Sequence, residues 1–198
     1  MTMSNSNIAN IILSTVVDDF LTKKEGKIII AIDGNCAAGK STIATHLSKK
    51  FDCNIFHMDD FFIRPEQRTK ERYATPGGNV DYERFKEEVL AKIKMEESFE
   101  YRSFNCKSMD LGKPIAVESK KLNIVEGSYS MHPELVSAYD FRVFLRISKK
   151  EQIERIIRRN GLEMARMFDE QWIPYENTYF NIFRIPELSD LVINLDQD

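Results

Sequence analysis

Apolar positions change their period twice within the first fifty residues. Ile8, Ile12, Val16 and Phe20 fall four apart, with Ile11 and Leu21 beside them. That is the spacing of one helix face and predicts an amphipathic helix over residues 8–23, packed on the domain ahead of the first strand. Lys23-Lys24-Glu25-Gly26 ends it, with Gly26 as the expected C-cap. The pattern then becomes continuous: Lys27-Ile28-Ile29-Ile30-Ala31-Ile32-Asp33 is an apolar, β-branched run of strand length. A glycine-containing stretch follows, after which Ile43, Leu47 and Phe51 return to a spacing of four. Strand, loop and amphipathic helix succeed one another directly.

Cys53–Met58 reads as a second strand, running into Asp59-Asp60-Phe61-Phe62. Strand alternation would place His57 and Asp59 on one face and Asp60 on the other. Residues 63–80 read as a long polar loop with a turn at Pro76-Gly77-Gly78 and a binding or lid role. Asp81 can cap a helix that turns Phe85, Val89 and Ile93 inward. Residues 99–120 fit a hairpin-like insertion, with Phe99, Tyr101 and Ser103 alternating against Glu100, Arg102 and Phe104 and a turn at Gly112-Lys113-Pro114. Leu122–Gly127 is a third core strand, ending in the acid Glu126. A short helix is expected to start over His132-Pro133-Glu134-Leu135-Val136, and a fourth strand to run from Asp140 to Ile147. A helix capped by Ser148 should cover 149–160, and a last short strand 190–195. Trp172, Tyr175, Tyr179 and Phe183 keep helical spacing, with Pro174 expected in a first turn. The stripe reads as core rather than as a base-stacking face, and Glu176 within it receives no role.

The chain has 198 residues, which suits one α/β domain with a small insertion. Net charge is −3 and the signs are mixed along the chain, so no basic stripe for nucleic acid is legible. Cys36, Cys53 and Cys106 are scattered and odd in number, which points to thiols in a reducing cytoplasm rather than disulfides or a zinc cluster. No run has the length of a transmembrane helix. The N-terminus lacks a basic start, and Asp18 and Asp19 interrupt its apolar stretch, so it does not read as a signal peptide. A cytoplasmic protein without membrane or nucleic-acid partners is expected. Its oligomeric state is not legible.

The chemistry concentrates in Gly34-Asn35-Cys36-Ala37-Ala38-Gly39-Lys40-Ser41-Thr42, a G-x-x-x-x-G-K-[ST] phosphate-binding loop in its required strand-to-helix setting. Glycines let the backbone approach a phosphate, and successive amide N–H groups converge at a helix N-terminus whose dipole favours anions. Lys40 supplies charge to the β- and γ-phosphates, and Ser41 offers a hydroxyl to Mg²⁺. Asp33 reads as the end of a strand. In open parallel sheets ligands meet the carboxyl ends of strands, where one of Asp59 and Asp60 can reach a substrate hydroxyl and Glu126 can orient a Mg²⁺-bound water. His57 reads as a packing or supporting histidine. Arg155, Arg158, Arg159 and Arg166 form a basic cluster suited to a lid that neutralises a moving phosphoryl group.

These residues resemble the uridine kinase–like branch of the phosphate-loop kinases. The likeness spans roughly residues 26–195 and rests on the loop, on His57-Met58-Asp59-Asp60-Phe61-Phe62, on Val125-Glu126-Gly127, on the arginine helix and on the final strand. The fold implied is a three-layer α/β P-loop NTPase sandwich with a mostly parallel central sheet and helices on both faces. One kinase domain would fill residues 1–198, with an N-terminal helix to about 25, a small insertion at about 99–120 and a lid at about 149–170. The resemblance implies ATP and Mg²⁺ as cofactors, and transfer of the γ-phosphoryl to a hydroxyl of a nucleoside or similar small alcohol. Asp59 then matches the general base and lies beside the metal. Ser41 and Glu126 match the Mg²⁺ shell, and Lys40 and Arg159 match the catalytic cations. Arg155 and Arg158 join the loop in binding nucleotide, while Tyr101, Arg166 and Asp81 fall to the acceptor. Uridine kinases carry a histidine five residues after the tyrosine matched by Tyr101, and Cys106 stands there instead. The alternative is a nucleotide-dependent regulator or an ATPase without an alcohol acceptor. A guanine motif N-K-x-D is absent.

Overall fold

The computed structural model describes residues 3–95 and 97–196. Its centre is a five-stranded parallel sheet: β1 (Ile28–Gly34), β2 (Cys53–His57), β5 (Leu122–Glu126), β6 (Phe141–Arg146) and β7 (Leu191–Asn194). The strand order is β2-β5-β1-β6-β7, so β1 lies in the middle. Every residue of β1 and β5 is buried, as expected of parallel strands covered on both faces. Ile28, Ile30 and Ile32 join Leu122, Ile124, Val143 and Leu145 on one face, under α1 (Asn5–Lys23) and α2 (Lys40–Lys50). Ile29 and Ala31 join Phe56, Val125 and Phe144 on the other face.

That second face carries α4 and α6. Helix α4, residues 82–94, presents Phe85, Val89 and Ile93 inward and widens into a π-turn at Lys86–Leu90. Helix α6 runs continuously over 162–182: α at Leu162–Met167, π at Phe168–Trp172, α again at Ile173–Ile182. Pro174 therefore falls, as expected, in the first turn of the last α-segment, although the helix as a whole runs on through the π-turn before it. Proline lacks the N–H and crowds the preceding turn, and the wider π-turn just upstream accommodates it. Helix α5 (Lys149–Asn160) is capped by Ser148, whose hydroxyl accepts from the Glu151 N–H. Gly161, at φ +84°, turns the chain from α5 into α6.

Five local expectations need correction. Helix α1 ends at Lys23 with Lys24 as its cap, and Gly26 (φ +73°) serves the turn into β1 instead. The hairpin of β3 (Phe99–Asn105) and β4 (Asp110–Val117) does not turn at Gly112–Pro114, which lie within β4. Its turn is at 106–109, where the Asn105 side chain accepts from the Lys107 and Ser108 N–H groups and Met109 takes φ +57°. A register shift between Arg102 and Phe104 puts Tyr101 and Phe104 inward together, ending the simple alternation. Residues 63–80 are not structureless: they include a 3-10 turn at Pro65–Gln67 and α3 (Lys70–Ala74). Arg72 fastens this segment through Gly78 O and Val80 O, both at 2.8 Å, and through a two-pronged pair with Glu83. Finally, the short helix expected from His132 is a 3-10 turn at Val136–Ala138.

Candidate active site

The phosphate loop leaves β1 and enters α2. Gly34 takes φ +137° as it passes β6, and a Cβ there would collide with the Leu145 carbonyl. Asn35 ties the loop to the sheet: its N–H donates to Leu145 O at 3.1 Å and its side-chain oxygen accepts from Ile147 N–H at 3.1 Å. Ala37 (φ +62°) and Gly39 (φ +98°) are left-handed. Alternating right- and left-handed residues fold successive N–H groups into an anion-binding nest.

The loop forms one wall of a cleft of about 540 Å³. Cys36, Ala37 and Gly39–Thr42 line it, facing Asp59, Glu126, Asn79 and Tyr129, with Arg155 and Arg159 above. Two carboxylates arrive on neighbouring strands. Glu126 ends β5 in register with His57 of β2 and Ile32 of β1. Its Oε1 accepts from Ser41 Oγ at 2.9 Å and pairs with His57 Nδ1 at 2.5 Å. The hydrogen bond to Glu126 raises the His57 pKa above its ordinary 6.5. Asp59 sits one residue into the 3-10 turn Met58–Phe61. Strand alternation therefore stops at His57, and it is the turn that aims Asp59 into the cleft. Crowding by the cleft walls raises the Asp59 carboxyl although its surface stays open to solvent; Lys40 opposes that rise and Glu126 adds to it.

Ser41 and Glu126 thus present two hard oxygen donors 2.9 Å apart beside a phosphate nest. Among the described residues no cluster of three or more His, Cys, Asp or Glu could hold a metal by itself. This donor set suits Mg²⁺, which takes one or two protein oxygens and completes its shell with phosphate and water.

Asp33 is more than a strand end. It is fully buried and accepts from the Gly34 N–H (2.7 Å), the Met131 N–H (2.9 Å) and the Tyr179 hydroxyl (2.8 Å). Burial nonetheless pushes its carboxyl up to about 6.

Of the basic cluster, Arg155 and Arg159 line the cleft. Arg155 donates to Glu151 and to the carbonyls of Leu195 and Ala37. Arg158 and Arg166 are exposed and do not line it. Neither do Tyr101 and Asp81. Tyr101 is buried and donates to Asp60 Oδ2 at 3.1 Å. Asp81 is buried as the cap of α4, accepting from the Arg84 N–H at 3.1 Å. Cys106 is exposed in the hairpin turn. The acceptor roles expected for Arg166, Tyr101 and Asp81 thus lack a place in this cleft.

Sequence reasoning left out the far wall. Met164, Phe168, Trp172 and Glu176, each four residues after the last, line the cleft from α6. Trp172 belongs to the cleft rather than to the core, whereas Tyr179 of the same stripe is fully buried. Glu176 is 3% exposed and reaches the loop: Oε2 accepts from the Cys36 N–H at 3.0 Å, and Oε1 accepts from Ser128 Oγ at 2.5 Å. The only signal in the sequence was a carboxylate set among aromatic residues at positions 172–179. Burial beside Glu176 pushes the Cys36 thiol up to about 12.

Known structures match this fold. A possible uridine kinase from Bacillus stearothermophilus superposes with a TM-score of 0.68 at 19% identity, covering 93% of this chain and 96% of its own. The fold is that of a phosphate-loop NTPase. A candidate fructose transport system kinase from Silicibacter sp. TM1040 gives 0.72 at 20% identity over 96% of this chain and 99% of its own. The YGR205w protein gives 0.66 at 16% identity over 98% and 95%. No protein-family model and no curated protein matches the chain. The resemblance to uridine kinase–like structures is therefore one of fold, spanning nearly the whole chain. No helix among the described residues is long and apolar enough to cross a membrane.

Proposed function

We propose that this phosphate-loop protein is an ATP-dependent kinase of small alcohols. The observation that carries the reading is that Asp59, Lys40 and the Ser41–Glu126 pair share one cleft with the phosphate nest. The loop N–H groups of residues 37–42 bind the nucleotide's phosphates, and Lys40 neutralises their charge. Ser41 and Glu126 would hold Mg²⁺, which would supply charge neutralisation to the phosphates. Asp59 orients the acceptor hydroxyl and takes its proton as the oxygen bonds to the γ-phosphorus and the bond from that phosphorus to the departing ADP oxygen breaks; its raised carboxyl makes it a better base than a solvated aspartate. Arg159 stands at the mouth to offset charge on the transferring group. Phe62, Tyr129 and Asn79 frame the acceptor side with apolar surface and one amide. This suits a nucleoside or sugar, the two acceptor classes named among the structural neighbours.

The test is ATP consumption by purified protein with Mg²⁺ across nucleosides, free and phosphorylated sugars and pantothenate, with Lys40→Ala as the blank. One acceptor should raise ADP release above that blank. Asp59→Asn should then lower kcat by about 10²–10⁴-fold while nucleotide binding persists. Equal ATP loss with and without every acceptor would overturn the kinase reading, and a near-full rate in Asp59→Asn would overturn the base assignment.

A further inference from the structure

The phosphate loop's binding groups are engaged by the protein itself. Lys40 has three N–H donors, and three acceptors surround it: Gly34 O at 2.7 Å, Asn35 O at 2.9 Å and Ser128 Oγ at 3.2 Å. The Cys36 N–H is occupied by Glu176 Oε2. Ser128 joins the two halves, because its hydroxyl lies 2.5 Å from Glu176 Oε1 on one side and beside Lys40 on the other. Gln152 adds a second N–H to Glu176, from 3.4 Å. A carboxylate that meets two N–H donors and a hydroxyl in a buried site, with a lysine one hydroxyl away, occupies the position of an anion bound to the loop.

Charge makes the same point. Asp59, Glu126 and Glu176 line the cleft against Lys40, Arg155 and Arg159, so the signs balance three to three before any ligand enters. A nucleotide adds several negative charges to a site that excludes much of the water, where like charges repel strongly. Asp59 and Glu126 do not touch the loop's N–H groups. Glu176 does, and it is the carboxylate whose contacts a phosphate must take over.

We propose that Glu176 is an internal anion of the nucleotide-free loop, which the phosphates of the nucleotide displace from the Cys36 N–H and from its Ser128-bridged link to Lys40. Glu176 is thus a positioning residue that sets nucleotide affinity. In the empty protein it keeps a buried lysine and a loop amide satisfied, and its release is part of the cost of binding. It stands on α6 one turn after Trp172, so its movement is felt along the wall that closes the cleft. The proposal rests on the reading of the loop as a nucleotide site.

Titration calorimetry with Mg²⁺–ADP, and separately with pyrophosphate, tests it on wild type, Glu176→Gln and Lys40→Ala. Glutamine keeps an acceptor for the Cys36 N–H and a group for Ser128, but it removes the charge. Glu176→Gln should bind both probes about tenfold more tightly than wild type. Equal or weaker binding overturns the proposal and leaves Glu176 as a packing or ligand-supporting group. Failure of wild type to bind either probe overturns the nucleotide-site reading and this proposal with it. Should Glu176→Gln not fold, a crystal structure of wild type with Mg²⁺–ADP decides the matter. A broken Cys36 N–Glu176 contact supports displacement, and an intact one overturns it.

Discussion

The phosphate loop and helix α6 face each other across one cleft but reach it by different physics. The loop acts through its backbone. Its geometry is set within nine residues by left-handed Ala37 and Gly39, and by a Gly34 that has no room for a side chain. Helix α6 acts through side chains four apart, placed by a helix that begins over 120 residues later in the chain and is phased by a π-turn at Phe168–Trp172. Tyr179 fixes the two together, because its hydroxyl reaches the Asp33 carboxylate at the mouth of the loop. A motif can specify one wall of a site locally. The opposing wall depends on the register of a distant element, and small changes there act on binding rather than on the motif.

The largest effect should come from the loop's own backbone. Gly34→Ala forces a Cβ into the Leu145 carbonyl and places alanine at φ +137°. Neither the sheet nor the loop can give way cheaply, since Asn35 is tied to the same strand. A loss of about 4 kcal/mol or more is expected, read as the fall in denaturation midpoint. A midpoint within error of wild type would show that the loop is far more plastic than its contacts suggest.

Substitutions on α6 should separate two roles within one stripe. Tyr179→Phe leaves the buried Asp33 carboxylate short of a donor and should cost about 1.5–3 kcal/mol of stability. Trp172→Ala removes a half-buried ring from the cleft wall. It should weaken nucleotide or acceptor binding several-fold while moving the melting temperature less than Tyr179→Phe does. If Trp172→Ala instead destabilises more and leaves binding unchanged, the stripe is core throughout, as its spacing alone implied.

That spacing shows where the sequence stopped being informative. The run 27–51 was legible because strand, loop and helix are contiguous and each has its own period. β5 and β6 were legible as apolar runs, although their places on either side of β1 depend on long-range pairing. A helical stripe states that one face is covered, but not whether it is covered by core or by a ligand cleft, so Trp172 was misplaced and Glu176 left without a role. Gly112-Lys113-Pro114 has turn composition, yet the turn formed where Asn105 could satisfy two backbone N–H groups. Pro114 is tolerated in β4 because a two-stranded hairpin leaves an edge that needs no donor. The segment 63–80 looked open because Arg72, which closes it, bonds to carbonyls that no sequence pattern displays.

The smallest effects should appear in the pH dependence of stability, where two buried groups pull in opposite directions. Asp33 titrates near 6 when folded, against an ordinary 3.8. Between those values the folded state keeps a proton that the unfolded chain has released, so this group's contribution falls as pH rises from about 4 to 6. His132 is the reverse case. Its ring is buried and stacked on Tyr82 at 3.8 Å, with Nε2 lacking a hydrogen-bond partner, and burial drives its pKa down to about 4 from 6.5. Across that window the unfolded chain binds the extra proton, so stability rises with pH. The two slopes offset each other in wild type over pH 4–6. Asp33→Asn should therefore steepen the rise of stability with pH, and His132→Phe should flatten or invert it, whatever either substitution does to stability at neutral pH. Urea denaturation at half-unit steps from pH 4 to 7 would show this. Parallel curves for all three proteins would mean that neither group titrates differently on folding, and that the carboxylate at the loop's mouth is less sheltered than its three donors imply.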